Sequence, residues 1–129
     1  MSNKNFPVIH NIRLHLAWHT KGQAPMLDAG IEHRLRELLA QDCKAYGVSI
    51  LGGNIGSSHV HMRVSCPPKL SPSAFIGELK GRSSRLLGQE FPHLKDGRPS
   101  GELWETGYFC CSYGEETDSA ALTEYIGSQ

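Results

Sequence analysis

No stretch of this sequence is apolar for long enough to cross a membrane, which takes roughly 20 residues. Its start, MSNKNFPVIHN, lacks the basic and apolar regions of a secretory signal. The cytoplasm is therefore the expected compartment. Cysteine is sparse and badly spaced for either a zinc knuckle or a disulfide framework. Cys43, Cys66, Cys110 and Cys111 contain no C-x-x-C, and adjacent cysteines rarely bridge, so free thiols are expected. There is no net charge, 13 Lys and Arg standing against 13 Asp and Glu, which argues against a generic basic nucleic-acid binder. That average hides an asymmetry: residues 1–88 hold 11 basic against 5 acidic side chains, and residues 89–129 hold 2 against 8. A basic face is permitted but not demanded. Repeats, low-complexity tracts and interdomain linkers are all missing. A chain of 129 residues, 39% apolar and 20% charged, reads as one ordinary globular domain.

What is present is clear periodicity. NIRLHLAWHTKG alternates Leu14, Leu16 and Trp18 with Arg13, His15 and His19, a strand pattern. MLDAGIEHRLRELLAQDCKAYG carries Leu27, Ile31, Leu35, Leu38, Leu39, Cys43 and Tyr46 at helical spacing, with Gly47 as its stop. VSILGGNIG predicts a strand bulged by its glycines, and HVHMRVSC a strand with Val60, Met62 and Val64 on one side. A second helix follows, with Ser71 as N-cap, Pro72 at its first position and Phe75, Ile76, Leu79, Leu86 and Leu87 as its buried stripe. After a turn-rich loop, TGYFCCSYG predicts a fourth strand, and TDSAALTEYIGSQ a last helix capped by Thr117.

The order β-α-β-β-α-β plus a terminal helix predicts an α+β fold of the ferredoxin-like, RRM-like split βαβ type. It has a four-stranded antiparallel sheet with both main helices on one face. Residues 12–113 form the core and 117–129 the final helix of a single domain. The first and third strands lie at the centre. Their apolar residues face the helices, which leaves Arg13, His15, His19, His59, His61 and Arg63 on the open face.

Alternation puts His59 and His61 on one side of their strand, with Cβ atoms roughly 6–7 Å apart, within reach of a single divalent cation. Two polar residues on a solvated strand is the ordinary reading of such a pair. The last helix adds Tyr125 and Gln129 at i and i+4, one face. A tyrosine oxygen is a nucleophile where a neighbour activates its acceptor, and a glutamine oxygen is a credible third ligand for a hard cation. Tyrosine packing on the sheet is the plain alternative.

SHVHMRVSCPPKLSPSAFIGELKGRSSRLL, LWETGYFCCSYG and TDSAALTEYIGSQ stand in the order and spacing of the small single-tyrosine HUH transposases of bacterial and archaeal insertion sequences. HLAWHTKGQAPML resembles that family's first strand and loop, so the resemblance runs from about Ile12 to Gln129. It implies a metal-dependent enzyme that cuts and rejoins single-stranded DNA at hairpin-marked element ends. Tyr125 would be the nucleophile and would become linked to a 5′ phosphate. His59, His61 and Gln129 would be the ligands of magnesium or manganese, and the protein would be a homodimer. A hinge at Gly114 would let the last helix serve either subunit.

Under this reading Lys69, Lys80, Arg82 and Arg85 are candidate DNA-phosphate contacts, with Arg13 and His15 on the sheet beside them. Trp104, Tyr108 and Phe109 are candidate base-stacking residues, though core packing is the commoner fate of strand aromatics. The chain departs from the family at Ser58, where members often have Asp. It departs again at Gly22 and Gln23, where Tyr and Arg are common, and at Glu105 and Thr106, where basic or small residues are usual. A hairpin-binding protein that does not cut, and a phosphoesterase that uses water, are the competing readings.

Overall fold

The computed structural model describes residues 11–96 and 102–113. The predicted order is observed. Strand β1 (Ile12–His19) leads to helix α1 (Ala29–Ala45), the hairpin β2 (Ser49–Ile55) and β3 (His59–Cys66), helix α2 (Pro72–Glu90) and strand β4 (Phe109–Ser112). The sheet runs β2-β3-β1-β4, antiparallel throughout, with β3 and β1 at its centre. The helix proposed for 117–129, with Tyr125 and Gln129, and the hinge at Gly114 lie outside the described residues.

Local chemistry explains the element boundaries. Asp28 caps α1, its Oδ1 accepting the Ile31 N–H at 3.0 Å, and Ser71 Oγ accepts the Ala74 N–H at 3.3 Å at the start of α2. Each such cap is worth about 1 kcal/mol. The bulge expected in β2 falls between Ile50 and Gly52. Strand β4 is shorter than the predicted span. The residues before it pair instead with the end of β1, through a Thr20–Trp104 bridge and bonds from Lys21 N to Leu103 O and from Glu105 N to His19 O, both 2.8 Å.

The core is the one the periodicity predicts. Leu16, Trp18, Val60 and Val64 from the sheet, Ile31, Leu35 and Leu38 from α1, and Phe75, Ile76, Leu79 and Leu87 from α2 are fully buried. Tyr46, expected in the α1 stripe, is 40% exposed; it sits past the helix end with its ring edge-on to Phe75. Among the described residues all four thiols are free. Burial pushes Cys43 up to about 12 and Cys66 up to about 11.

Candidate active site

Antiparallel register decides which side chains share the sheet face opposite the helices. His19 pairs with His59, Ala17 with His61 and His15 with Arg63, while β4 places Phe109 beside Ala17 and Cys111 beside His15. All of these project from the same side, since partners in a register share a face. The even-numbered residues from Leu14 to Trp18 in β1 and from Val60 to Cys66 in β3 are buried. The predicted division of the two central strands is therefore observed.

The face is not open everywhere. His15 is 2% and His19 4% exposed, where parity alone predicts solvent-facing residues. The Tyr113 ring lies over His15 at 4.3 Å between centroids, and the His59 ring is 6.3 Å from that of His19. The segment around Glu105 runs along the end of β1 beside His19. Cross-strand neighbours cover these imidazoles, and no pattern within β1 encodes them. Arg13, at the far end of β1, is exposed as predicted.

His59 and His61 are both half-buried. Burial pushes His61 below the ordinary imidazole range, reinforced by His15, Arg63 and His59. Burial lowers His19 as well, followed by the influence of His59. A metal ligand must be a neutral imidazole, so this environment suits His61 to that task. The donor chemistry fits a divalent cation: two imidazoles on one face, two residues apart. Among the described residues no group of three His, Cys, Asp or Glu converges on a metal position, so the pair needs a donor of another kind or from elsewhere in the chain.

Each imidazole has a distinct support. The His59 ring lies against Gly56 across the tip of the β2–β3 hairpin, so closely that a Cβ on Gly56 would be 2.5 Å from its Cε1. The tip is fixed in turn, with Leu27 N donating to Ser57 O and Thr20 N to Ser58 O. His61 Nε2 lies 3.4 Å from His15 Nδ1. Sequence reasoning does not single out Gly56 or Tyr113; continuing the alternation of β4 through 109, 111 and 113 would find the tyrosine.

The predicted DNA contacts have different fates. Lys69 and Arg85 are exposed. Arg85 borders a groove of about 480 Å³ between α2 and residues 102–106, together with Lys80, Lys95, Glu102 and Glu105. Lys80 is engaged within the protein: its Nζ donates to Glu105 O at 2.8 Å and Gly107 O at 2.7 Å, and burial lowers its pKa. Arg82 is on the helix side of the molecule, tied to Asp42 Oδ1 at 2.7 Å and Gln41 Oε1 at 2.8 Å, where it joins α2 to α1. Both cations are tied to groups of the protein itself.

Trp104, a candidate stacking residue, is buried, T-shaped against Trp18, and donates from Nε1 to Ser83 Oγ at 2.9 Å. Tyr108 is 40% exposed and Phe109 half-buried. Two of the unusual positions meet. Glu105 Oε1 accepts the Gly22 N–H at 3.0 Å, and that bond is the main reason the carboxyl lies below its ordinary range. Gly22 has φ +60, a conformation that favours glycine.

Nearly the whole chain is similar to known proteins. A family model described as Transposase IS200 like matches residues 8–129. The transposase for insertion sequence element IS200 of Salmonella typhimurium is 31% identical over 119 residues, covering 92% of this chain and 77% of that protein. The ISDra2 transposase TnpA of Deinococcus radiodurans is 27% identical over 121 residues, 94% of this chain and 86% of its own length. A crystal structure of a Deinococcus radiodurans R1 protein assigned as a transposase superposes with TM-score 0.84 at 26% identity, covering 99% of this chain and 98% of the other. A REP-associated tyrosine transposase bound to a REP hairpin gives TM-score 0.66 at 14% identity, covering 98% and 70%, a likeness of fold. With the family model spanning nearly the entire sequence, and the histidine pair raised on the central strand of the shared fold, the chain belongs to the IS200-like family of single-tyrosine HUH transposases.

Proposed function

We propose that this protein cleaves and rejoins single-stranded DNA at hairpin-marked ends, with Tyr125 as nucleophile and a divalent cation held by His59, His61 and Gln129. The observation that carries the reading is the histidine pair. Both imidazoles rise from one face of β3 in the middle of the sheet, while Val60, Met62 and Val64 fill the core on the other. A binding module gains nothing from a metal pair and a tyrosine in the family's spacing.

The chemistry is a pair of transesterifications. The Tyr125 oxygen attacks the scissile phosphorus; its O–H proton is lost, a tyrosine–phosphorus bond forms and the P–O3′ bond breaks. The departing 3′ oxygen takes up a proton and the 5′ phosphate stays on the protein. A second strand's 3′ hydroxyl then attacks the same phosphorus, restoring tyrosine and a continuous backbone without water. The cation, magnesium or manganese, supplies polarisation of a non-bridging phosphate oxygen and offsets charge in the transition state. Imidazole ligands favour manganese of the two.

Lys69, Arg85 and Arg13 are the exposed cations proposed to contact DNA phosphates, and affinity should then fall steeply with salt. A hairpin as the recognised form is supported by the family, and by the hairpin held by the REP-associated relative. The working unit is proposed to be a homodimer, on the family resemblance. Among the described residues no helix is long and apolar enough to cross a membrane.

The test is covalent capture. Wild type and Tyr125→Phe are incubated with manganese and labelled single-stranded hairpins from the ends of the element, then run on a denaturing gel. An adduct that requires both tyrosine and cation is the expected result. Binding to native ends without an adduct would make the protein a hairpin binder. Cleavage that survives Tyr125→Phe would mean hydrolysis by water.

A further inference from the structure

What aims His61 at a cation is answered from the neighbouring strand. In the register His61 stands opposite Ala17 and His15 opposite Arg63, so the two histidines are diagonal neighbours. Ala17, opposite His61 and next to His15 on this face, carries only a methyl group. His61 Nε2 and His15 Nδ1 are 3.4 Å apart, with ring centroids at 5.6 Å and ring planes at 27°. His15 is held from behind as well. The Tyr113 ring lies 4.3 Å from it, and Tyr113 is anchored by its N–H to Arg13 O at 3.1 Å. At 2% exposure the His15 ring has little freedom to turn away.

A neutral imidazole carries one proton on two nitrogens, so a bond to one nitrogen decides which of them keeps a lone pair. A ligand histidine whose remote N–H is fixed by an acceptor presents its other nitrogen in a set direction. We propose that His15 is a positioning residue for the metal pair: its Nδ1 accepts the Nε2–H of His61, holds that tautomer and leaves His61 Nδ1 to face the cation. The residue before the pair is Ser58, which brings no carboxylate to do this. In this role His15 acts through His61 rather than as a ligand itself. The inference rests on the metal reading of His59 and His61 given above.

The experiment has two readouts. The first is the long-range ¹H–¹⁵N spectrum of the imidazoles in metal-free wild type, at roughly pH 8 where imidazole is neutral. His61→Gln assigns the resonances. His61 is expected as a single tautomer, protonated at Nε2. A His61 protonated at Nδ1, or averaging between tautomers, would overturn the proposal without any variant having to fold.

The second is Mn²⁺ affinity by titration calorimetry for wild type, His15→Leu and His15→Asn. Loss of such a support costs about 10- to 100-fold in affinity, which is expected for His15→Leu. His15→Asn, with an amide oxygen close to the lost Nδ1, is expected to retain most of the affinity. Equal affinity in His15→Leu and wild type would refute the role. Failure of the metal reading shows differently: wild type would not bind Mn²⁺, or His61→Gln would bind as well as wild type.

Discussion

Gly56→Ala is expected to damage the site and spare the fold. Gly56 is not among the residues with positive φ, so alanine can adopt its backbone conformation. Replacing glycine at such a position stabilises by about 0.4–1 kcal/mol through the unfolded chain. For a domain of this size that is a rise in Tm of roughly 2–5 °C. The new Cβ, however, would lie 2.5 Å from His59 Cε1 and 2.8 Å from Nδ1. Non-bonded carbons settle at about 3.5–4.0 Å, so the ring has to retreat by about 1 Å. It is the end of a rotatable side chain, and rotation relieves the clash at lower cost than unfolding. Metal sites tolerate errors of only about 0.2 Å in ligand distance. Mn²⁺ affinity should therefore fall by at least about tenfold, or ~1.4 kcal/mol. Calorimetric titration measures the affinity and differential scanning the Tm. Unchanged affinity would refute the idea that this glycine seats His59, and a Tm fallen by several degrees would mean that it supports the hairpin instead.

Three further outcomes follow from the same geometry. Ser83→Ala leaves the buried Trp104 N–H without its acceptor, and urea unfolding should show a loss of about 1–3 kcal/mol; a variant as stable as wild type would rule that bond out as an anchor of residues 102–106. Arg82→Ala strands the buried Asp42 carboxylate, whose pKa burial already raises, and should cost about 2–3 kcal/mol. It should leave the salt dependence of DNA binding unchanged, whereas Arg85→Ala should flatten it; a flattened slope for Arg82→Ala would return that residue to the DNA surface. Cys43 and Cys66 titrate higher in the folded protein, about 12 and about 11, than the ordinary thiol near 9. The native state therefore holds their protons more tightly, and their contribution is fully present below pH ~9 and lost as pH rises toward the folded values. Stability should fall by up to about 1.4 kcal/mol per pH unit for each thiol in that window, and a flat profile up to pH ~11 would contradict the burial.

Much of the fold is legible in the sequence because it is local. Period two in residues 13–19 and 59–65, helical spacing from Ile31 to Cys43, and the cap Ser71 each follow from the geometry of a few consecutive residues. The same rule puts His59 and His61 on one face, so strand alternation alone is enough to read that pair. The pairing of the two central strands and their burial against the helices then follow from the need to cover one apolar face.

Tertiary structure decided which charges are free and which imidazoles are covered. Glu105 meets Gly22 across 83 positions, Arg82 meets Asp42 across 40, and His61 meets His15 across 46. Each of these pairs depends on strand register and helix packing, which no window of adjacent residues contains. That is why the internal ties of Lys80 and Arg82, basic residues on one helix, are not legible in the sequence. It is also why His15, a strand residue of polar parity, is buried beside the histidine it is proposed to aim.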